Sequence, residues 1–100
     1  MALVARKLVT IIAEGFLEER LVREIKRLGA KGYTITEARG EGSRGVRASE
    51  WEGGNIRLET IVSPEVAEKI LAHLAEIYFP NYAVIAYVET VEVVRGDKYT

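Results

Sequence analysis

An α+β sandwich of the ferredoxin-like type, with a four-stranded antiparallel sheet and two helices on one face, is predicted by three features of this 100-residue chain. Two stretches carry apolar residues at helical spacing, each flanked by segments that alternate at strand spacing. The resulting order, β-α-β, glycine-rich loop, β-α-β and a short terminal strand, divides into halves of about equal length. The chain is also long enough for one domain and too short for two, which disfavours a doubly wound parallel sheet.

Each element has its own signal. Lys7–Ala13 is apolar and β-branched, as a buried strand requires. Leu17, Leu21, Ile25 and Leu28 form an amphipathic stripe, with charges between them and Gly29 as the stop. The charged run between them, Glu18, Glu19, Arg20, Arg23, Glu24, Lys26 and Arg27, supplies i,i+4 pairs on a solvated face. Tyr33–Arg39 alternates as a strand, and Asn55–Val62 places Ile56, Leu58, Thr60 and Val62 on one face. Ser63 and Pro64 are an N-cap and a first-turn proline. Val66, Ile70, Leu74 and Ile77 repeat the helical stripe until Pro80 forbids its continuation. Tyr82–Val88 and Thr90–Val94 read as the last two strands, and apolar residues on both sides of the first predict self-association.

Composition excludes several classes of function. There is no cysteine, hence no disulfide, thiol nucleophile or thiolate metal site. One histidine, His73, cannot form a two-histidine zinc site, and its place beside Lys69 and Glu76 predicts an exposed position. Apolar runs such as Ala83–Val88 fall far short of the ~20 residues that cross a bilayer. The first residues lack the pattern of a secretory signal, so a cytoplasmic protein is expected. A net charge of −1 argues against a nucleic-acid partner, as does the lack of an aromatic ribonucleoprotein motif.

The charges and glycines are nevertheless localised. Residues 1–54 carry ten Lys/Arg against eight Glu, and five of the nine glycines lie between positions 40 and 54. Gly40, Gly42 and Gly45 interleave with Ser43, Arg44 and Arg47, directly after a strand. Glycines let backbone N–H groups approach an anion, while a hydroxyl and guanidinium forks add charge-assisted hydrogen bonds to phosphate oxygens. No helix follows these glycines, so this is neither a dinucleotide fingerprint nor a P-loop. A long solvated turn would use the same residues. Trp51 is the one large apolar residue of the loop and a candidate partner contact. Glu37 reads as one half of a cross-strand ion pair beside Arg39.

The segment Gly29-Ala30-Lys31-Gly32-Tyr33-Thr34, followed by Gly40-Glu41-Gly42-Ser43-Arg44-Gly45-Val46-Arg47, resembles the PII-like signalling proteins. The likeness is strongest to the branch typified by SbtB, the regulator of a bicarbonate transporter, and runs from Lys7 to Gly96. Asn81-Tyr82-Ala83, Tyr87 and Glu92-Val93 continue it. The resemblance implies a homotrimer that binds an adenine nucleotide (ATP, ADP, AMP or cyclic AMP) between subunits. It also implies a mobile loop, about 41–54, that engages a target such as a membrane transporter, at whose inner face the protein would sit. By the same resemblance Ser43, Arg44 and Arg47, with Gly42, fall at the phosphates. Gly32, Tyr33 and Thr34 fall near adenine and ribose, and Tyr87 lines the neighbouring wall.

Three departures from the family pattern stand out. The loop has no tyrosine for uridylylation. Val84 occupies a position where the SbtB-type pattern has glycine. The Cys-Gly-Pro-x-Gly-Cys tail is replaced by Arg95-Gly96-Asp97-Lys98, in which Arg95 and Lys98 resemble the polyphosphate-reaching residues of other PII proteins. Nucleotide hydrolysis at the same cleft is the enzymatic alternative. It needs carboxylates near the phosphates, usually with Mg²⁺, and Glu37, Glu41 and Glu89 do not form a spaced cluster. A CutA-like trimer without nucleotide signalling shares the fold class, but the Gly-Ser-Arg-x-Val-Arg stretch argues against it.

Overall fold

A computed structural model describes residues 2–41 and 54–100. Its elements are β1 (Val4–Glu14), a 3-10 turn (Gly15–Leu17), α1 (Glu18–Leu28), β2 (Thr34–Ala38), β3 (Asn55–Val62), α2 (Pro64–His73), a π-turn (Leu74–Tyr78), β4 (Ile85–Val93) and a final 3-10 turn (Gly96–Tyr99). The sheet runs in the order β2-β3-β1-β4 with every neighbouring pair antiparallel, which is the expected ferredoxin-like arrangement.

Register follows the alternation read from the sequence. Val9, Ile11 and Ala13 lie opposite Thr60, Leu58 and Ile56, and all six are buried beneath the helices. Leu21 and Ile25 of α1 and Ala67 and Ile70 of α2 complete this core. Both helix boundaries fall where they are expected. Gly29 ends α1 at φ 125°, a conformation costly for any residue with a Cβ, and its N–H reaches back to the carbonyls of Ile25 and Lys26. The Ser63 hydroxyl accepts from the Val66 N–H at 3.3 Å, with Pro64 in the first turn of α2.

Four expectations need correction. The two terminal strands are one, Ile85–Val93, and Tyr82–Val84 precede it. The long β1 offers nine consecutive partners from Ile12 to Val4, and an edge strand tolerates the outward Glu89 that reads as a break. β1 itself begins three residues before Lys7 for the same reason. Glu37 lies opposite Ile56, so no cross-strand cation faces it; the ion pair of the sheet among the described residues is Arg57–Glu59, at 3.0 Å.

The fourth concerns His73, which is half-buried and bonded to Glu24 of α1 at 2.9 Å. His73 closes the regular part of α2, and the π-turn that follows brings Tyr78 to the same carboxylate. The Phe79 N–H bonds to Leu74 O at 2.9 Å, five residues back, and the wider turn rotates Tyr78 rather than Ile77 into the buried stripe. Tyr78 is fully buried and donates to the Glu24 carboxylate at 2.5 Å, while Arg20 donates to the other oxygen at 3.3 Å and lies 4.7 Å from the Tyr78 ring centroid. Arg20–Glu24 is one of the expected i,i+4 pairs of α1.

Candidate functional site

The face of the sheet turned away from the helices carries a cleft of about 370 Å³ at the end of β2. Its floor follows from register. Leu8 and Ile61 are direct partners across β1 and β3, and Thr34 and Glu59 across β2 and β3, all alternating with the buried positions. Lys31, Gly32 and Tyr33, the extended approach to β2, form one wall. Lys98 and Tyr99 of the final turn form the other. The Lys31 ammonium donates to the Thr100 hydroxyl at 3.0 Å, tying the two walls together.

The chemistry of the cleft is that of a site for an anion with an apolar or planar part. Lys31 and Lys98 bring two cations, and the Glu59 carboxylate is already engaged by Arg57. Leu8 and Ile61 give an apolar floor, Thr34 a hydroxyl, and Tyr33 an exposed ring with the Lys26 ammonium 5.6 Å from its centroid. Gly32 leaves open space: a Cβ there would meet nothing within 4 Å, and its φ is not in the left-handed region. Gly32→Ala is therefore expected to leave the folding stability of the chain unchanged or raise it by about 0.5 kcal/mol, as read from thermal unfolding.

Four of the expected site residues thus line one cleft: Gly32, Tyr33, Thr34 and Lys98. Arg95 stands outside it. It adopts a left-handed conformation (φ 61°, ψ 48°), and its carbonyl accepts the Lys98 N–H that closes the final turn. Tyr87 also stands apart, on the opposite edge strand, facing Thr10 and 42% exposed beside Ile85 at 61%. Gly42, Ser43, Arg44, Arg47 and Trp51 lie outside the described residues. Val84, the departure from the family pattern, is buried in the core and takes no part in lining the cleft. Leu8, Glu59, Ile61 and Tyr99 were not singled out from the sequence, because only strand register and the fold of the last turn bring them to Gly32. Lys31 carried a signal, its place in the Gly-Ala-Lys-Gly-Tyr-Thr segment. Among the described residues no three His, Cys, Asp or Glu side chains gather as a metal site, and no helix is long and apolar enough to cross a membrane.

Residues 6–98 match the family model of the nitrogen regulatory protein P-II. The chain belongs to the P-II family. A PII-like signaling protein of Thermus thermophilus is 69% identical over the full length of both chains, with a TM-score of 0.88. The PII-like protein CPII of Thiomonas intermedia is 27% identical in its complex with ADP, AMP and acetate, with a TM-score of 0.85 over 99% of this chain and 98% of that one. Its complex with ADP and bicarbonate aligns at 28% identity and a TM-score of 0.87 over the same shares. The P-II assignment accounts for the sheet order, and the cleft falls on the segment that carries the family resemblance.

Proposed function

We propose that this P-II family chain is a regulatory sensor that binds an adenine nucleotide between the subunits of a homotrimer and reports its occupancy to a target protein through residues 41–54. The observation that carries this reading is the cleft itself. Two lysines, an aromatic ring, an apolar floor and an unobstructed glycine backbone converge at the start of the segment that leads into Ser43, Arg44 and Arg47. Those three residues supply the phosphate contacts, and nucleotide binding favours one conformation of the loop over others. Tyr87 reaches the cleft from a neighbouring copy, which would also cover Ile85. The complexes of CPII with ADP and AMP and with ADP and bicarbonate support ADP and AMP as ligands and bicarbonate as a further bound anion. A membrane transporter is the target class that suits such a sensor, and it would hold the cytoplasmic protein at the inner face of the membrane.

Calorimetric titration with ATP, ADP, AMP and cyclic AMP, with and without bicarbonate, tests the proposal. Micromolar binding of at least one nucleotide is expected, weakened about tenfold or more in Arg47→Ala by loss of a charge-assisted phosphate contact. Gly32→Ala, which costs the chain no stability, should weaken it comparably because its methyl group takes ligand space. Steady phosphate release during the titration would replace the sensor with a nucleotide hydrolase. Absence of binding by any of the four would overturn both.

A further inference from the structure

Thr60 sits where packing alone would accept valine. It occupies the helix-facing row of β3 between Leu58 and Val62, lies opposite Val9, and is only 2% exposed. A hydroxyl in such surroundings is costly unless it is bonded. It donates to the carbonyl of Gly32 at 2.7 Å, through the sheet to the wall of the cleft. No backbone hydrogen bond fixes Lys31, Gly32 or Tyr33 among the described residues, and the ladder with β3 begins only at Thr34. The Thr60 hydroxyl is therefore the hydrogen bond that holds the backbone of this wall. Because the peptide is trans, drawing the Gly32 carbonyl toward Thr60 turns the Tyr33 N–H the opposite way, away from the helix layer.

We infer that Thr60 is a positioning residue for the nucleotide cleft, setting the orientation of the Gly32–Tyr33 peptide and thereby presenting the Tyr33 N–H as a fixed donor to the ligand. This rests on the reading of the cleft as an adenine-nucleotide site. Thr60 is itself among the residues that line the cleft, but its hydroxyl proton is taken up by the Gly32 carbonyl, and it is through that bond that it acts.

The test compares wild type, Thr60→Val and Thr60→Ser. Valine keeps the shape and removes the hydroxyl, whereas serine keeps the hydroxyl. Thr60→Val should bind ADP about fivefold to tenfold more weakly, the loss of one ordered hydrogen-bonding group. Its thermal midpoint should stay within about 5 °C of wild type. Thr60→Ser should bind within about twofold of wild type. Amide exchange without ligand should accelerate at Gly32, Tyr33 and Thr34 in Thr60→Val and return toward wild type in Thr60→Ser. Equal ADP affinity in wild type and Thr60→Val would overturn this role and leave the nucleotide site standing, as would faster exchange spread evenly along β3. A wild-type protein that binds no adenine nucleotide would overturn the reading of the cleft and this role with it.

Discussion

Replacing Glu24 by alanine is expected to lower the thermal midpoint by about 10 °C at fixed protein concentration. The Glu24 carboxylate gathers Tyr78 at 2.5 Å, His73 at 2.9 Å and Arg20 at 3.3 Å, and so ties α1 to the end of the second helix. Removing it strands the hydroxyl of a fully buried tyrosine, a cost of about 2 kcal/mol. Burial pushes the carboxyl of Glu24 up, but the hydrogen bonds from Tyr78, His73 and Arg20 and the proximity of His73 outweigh it and hold the group below its ordinary value of 4.5. Burial, then the hydrogen bond to Glu24 and its negative charge, raise the Tyr78 hydroxyl, which stays a donor throughout the neutral range. A carboxyl depressed on folding contributes stability that is complete above its unfolded value and is lost as pH falls through its folded one. Wild-type stability should therefore fall more steeply below pH 4.5 than that of Glu24→Gln, as read by denaturant unfolding at a series of pH values. Parallel pH profiles would show that the network holds no ionised carboxylate.

Gly96→Ala should have the second-largest effect, and it should reach the cleft. A Cβ at Gly96 would lie 2.7 Å from the Cβ of Val4 and 2.9 Å from its Cγ2. Because Val4 Cβ is fixed to the backbone of β1, rotating the valine side chain does not relieve the overlap. The cost expected of such overpacking is about 1–3 kcal/mol. The relief open to the chain is to lift the final turn from β1, which carries Lys98 and Tyr99 out of the wall they form and breaks the Lys31–Thr100 hydrogen bond. Gly96→Ala should therefore lower the thermal midpoint, speed amide exchange at Lys98 and weaken ADP binding together. A variant that unfolds like wild type would show that the turn is not held by this contact.

The fold was legible because its signals are local and repeat. The stripe of Leu21 and Ile25, the cap at Ser63 and the alternation of Ile56, Leu58, Thr60 and Val62 each report on neighbours a few residues away. The glycine after α1 did the same. The cleft was legible only along one segment, Gly32 to Thr34, with Lys98 added through family resemblance. Its floor was not, since Leu8, Glu59 and Ile61 read as ordinary outward strand positions until β1, β2 and β3 are set in register. His73 was misplaced because its partner, Glu24, lies on the other helix, and Tyr78 was missed because helical spacing was carried unbroken to Ile77. A regular helix does not hold the bond from Phe79 to Leu74, and nothing local in Leu74-Ala75-Glu76-Ile77-Tyr78 announces it.

That wider turn changes how the second helix can be compared with others. It accommodates one residue more than the same length of regular helix while keeping the buried row of Ile70, Leu74 and Tyr78 continuous. A helix one residue shorter at this point would present the same row to its core. Beyond Tyr78, residues that occupy equivalent places in space would then differ by one in position along the chain. Counting in step across the turn would pair Tyr82, whose ring here lies tilted against Tyr78 and whose hydroxyl accepts from Arg20, with the wrong counterpart. For this helix, equivalence is set by what each side chain packs against, and the count has to be restarted after the turn.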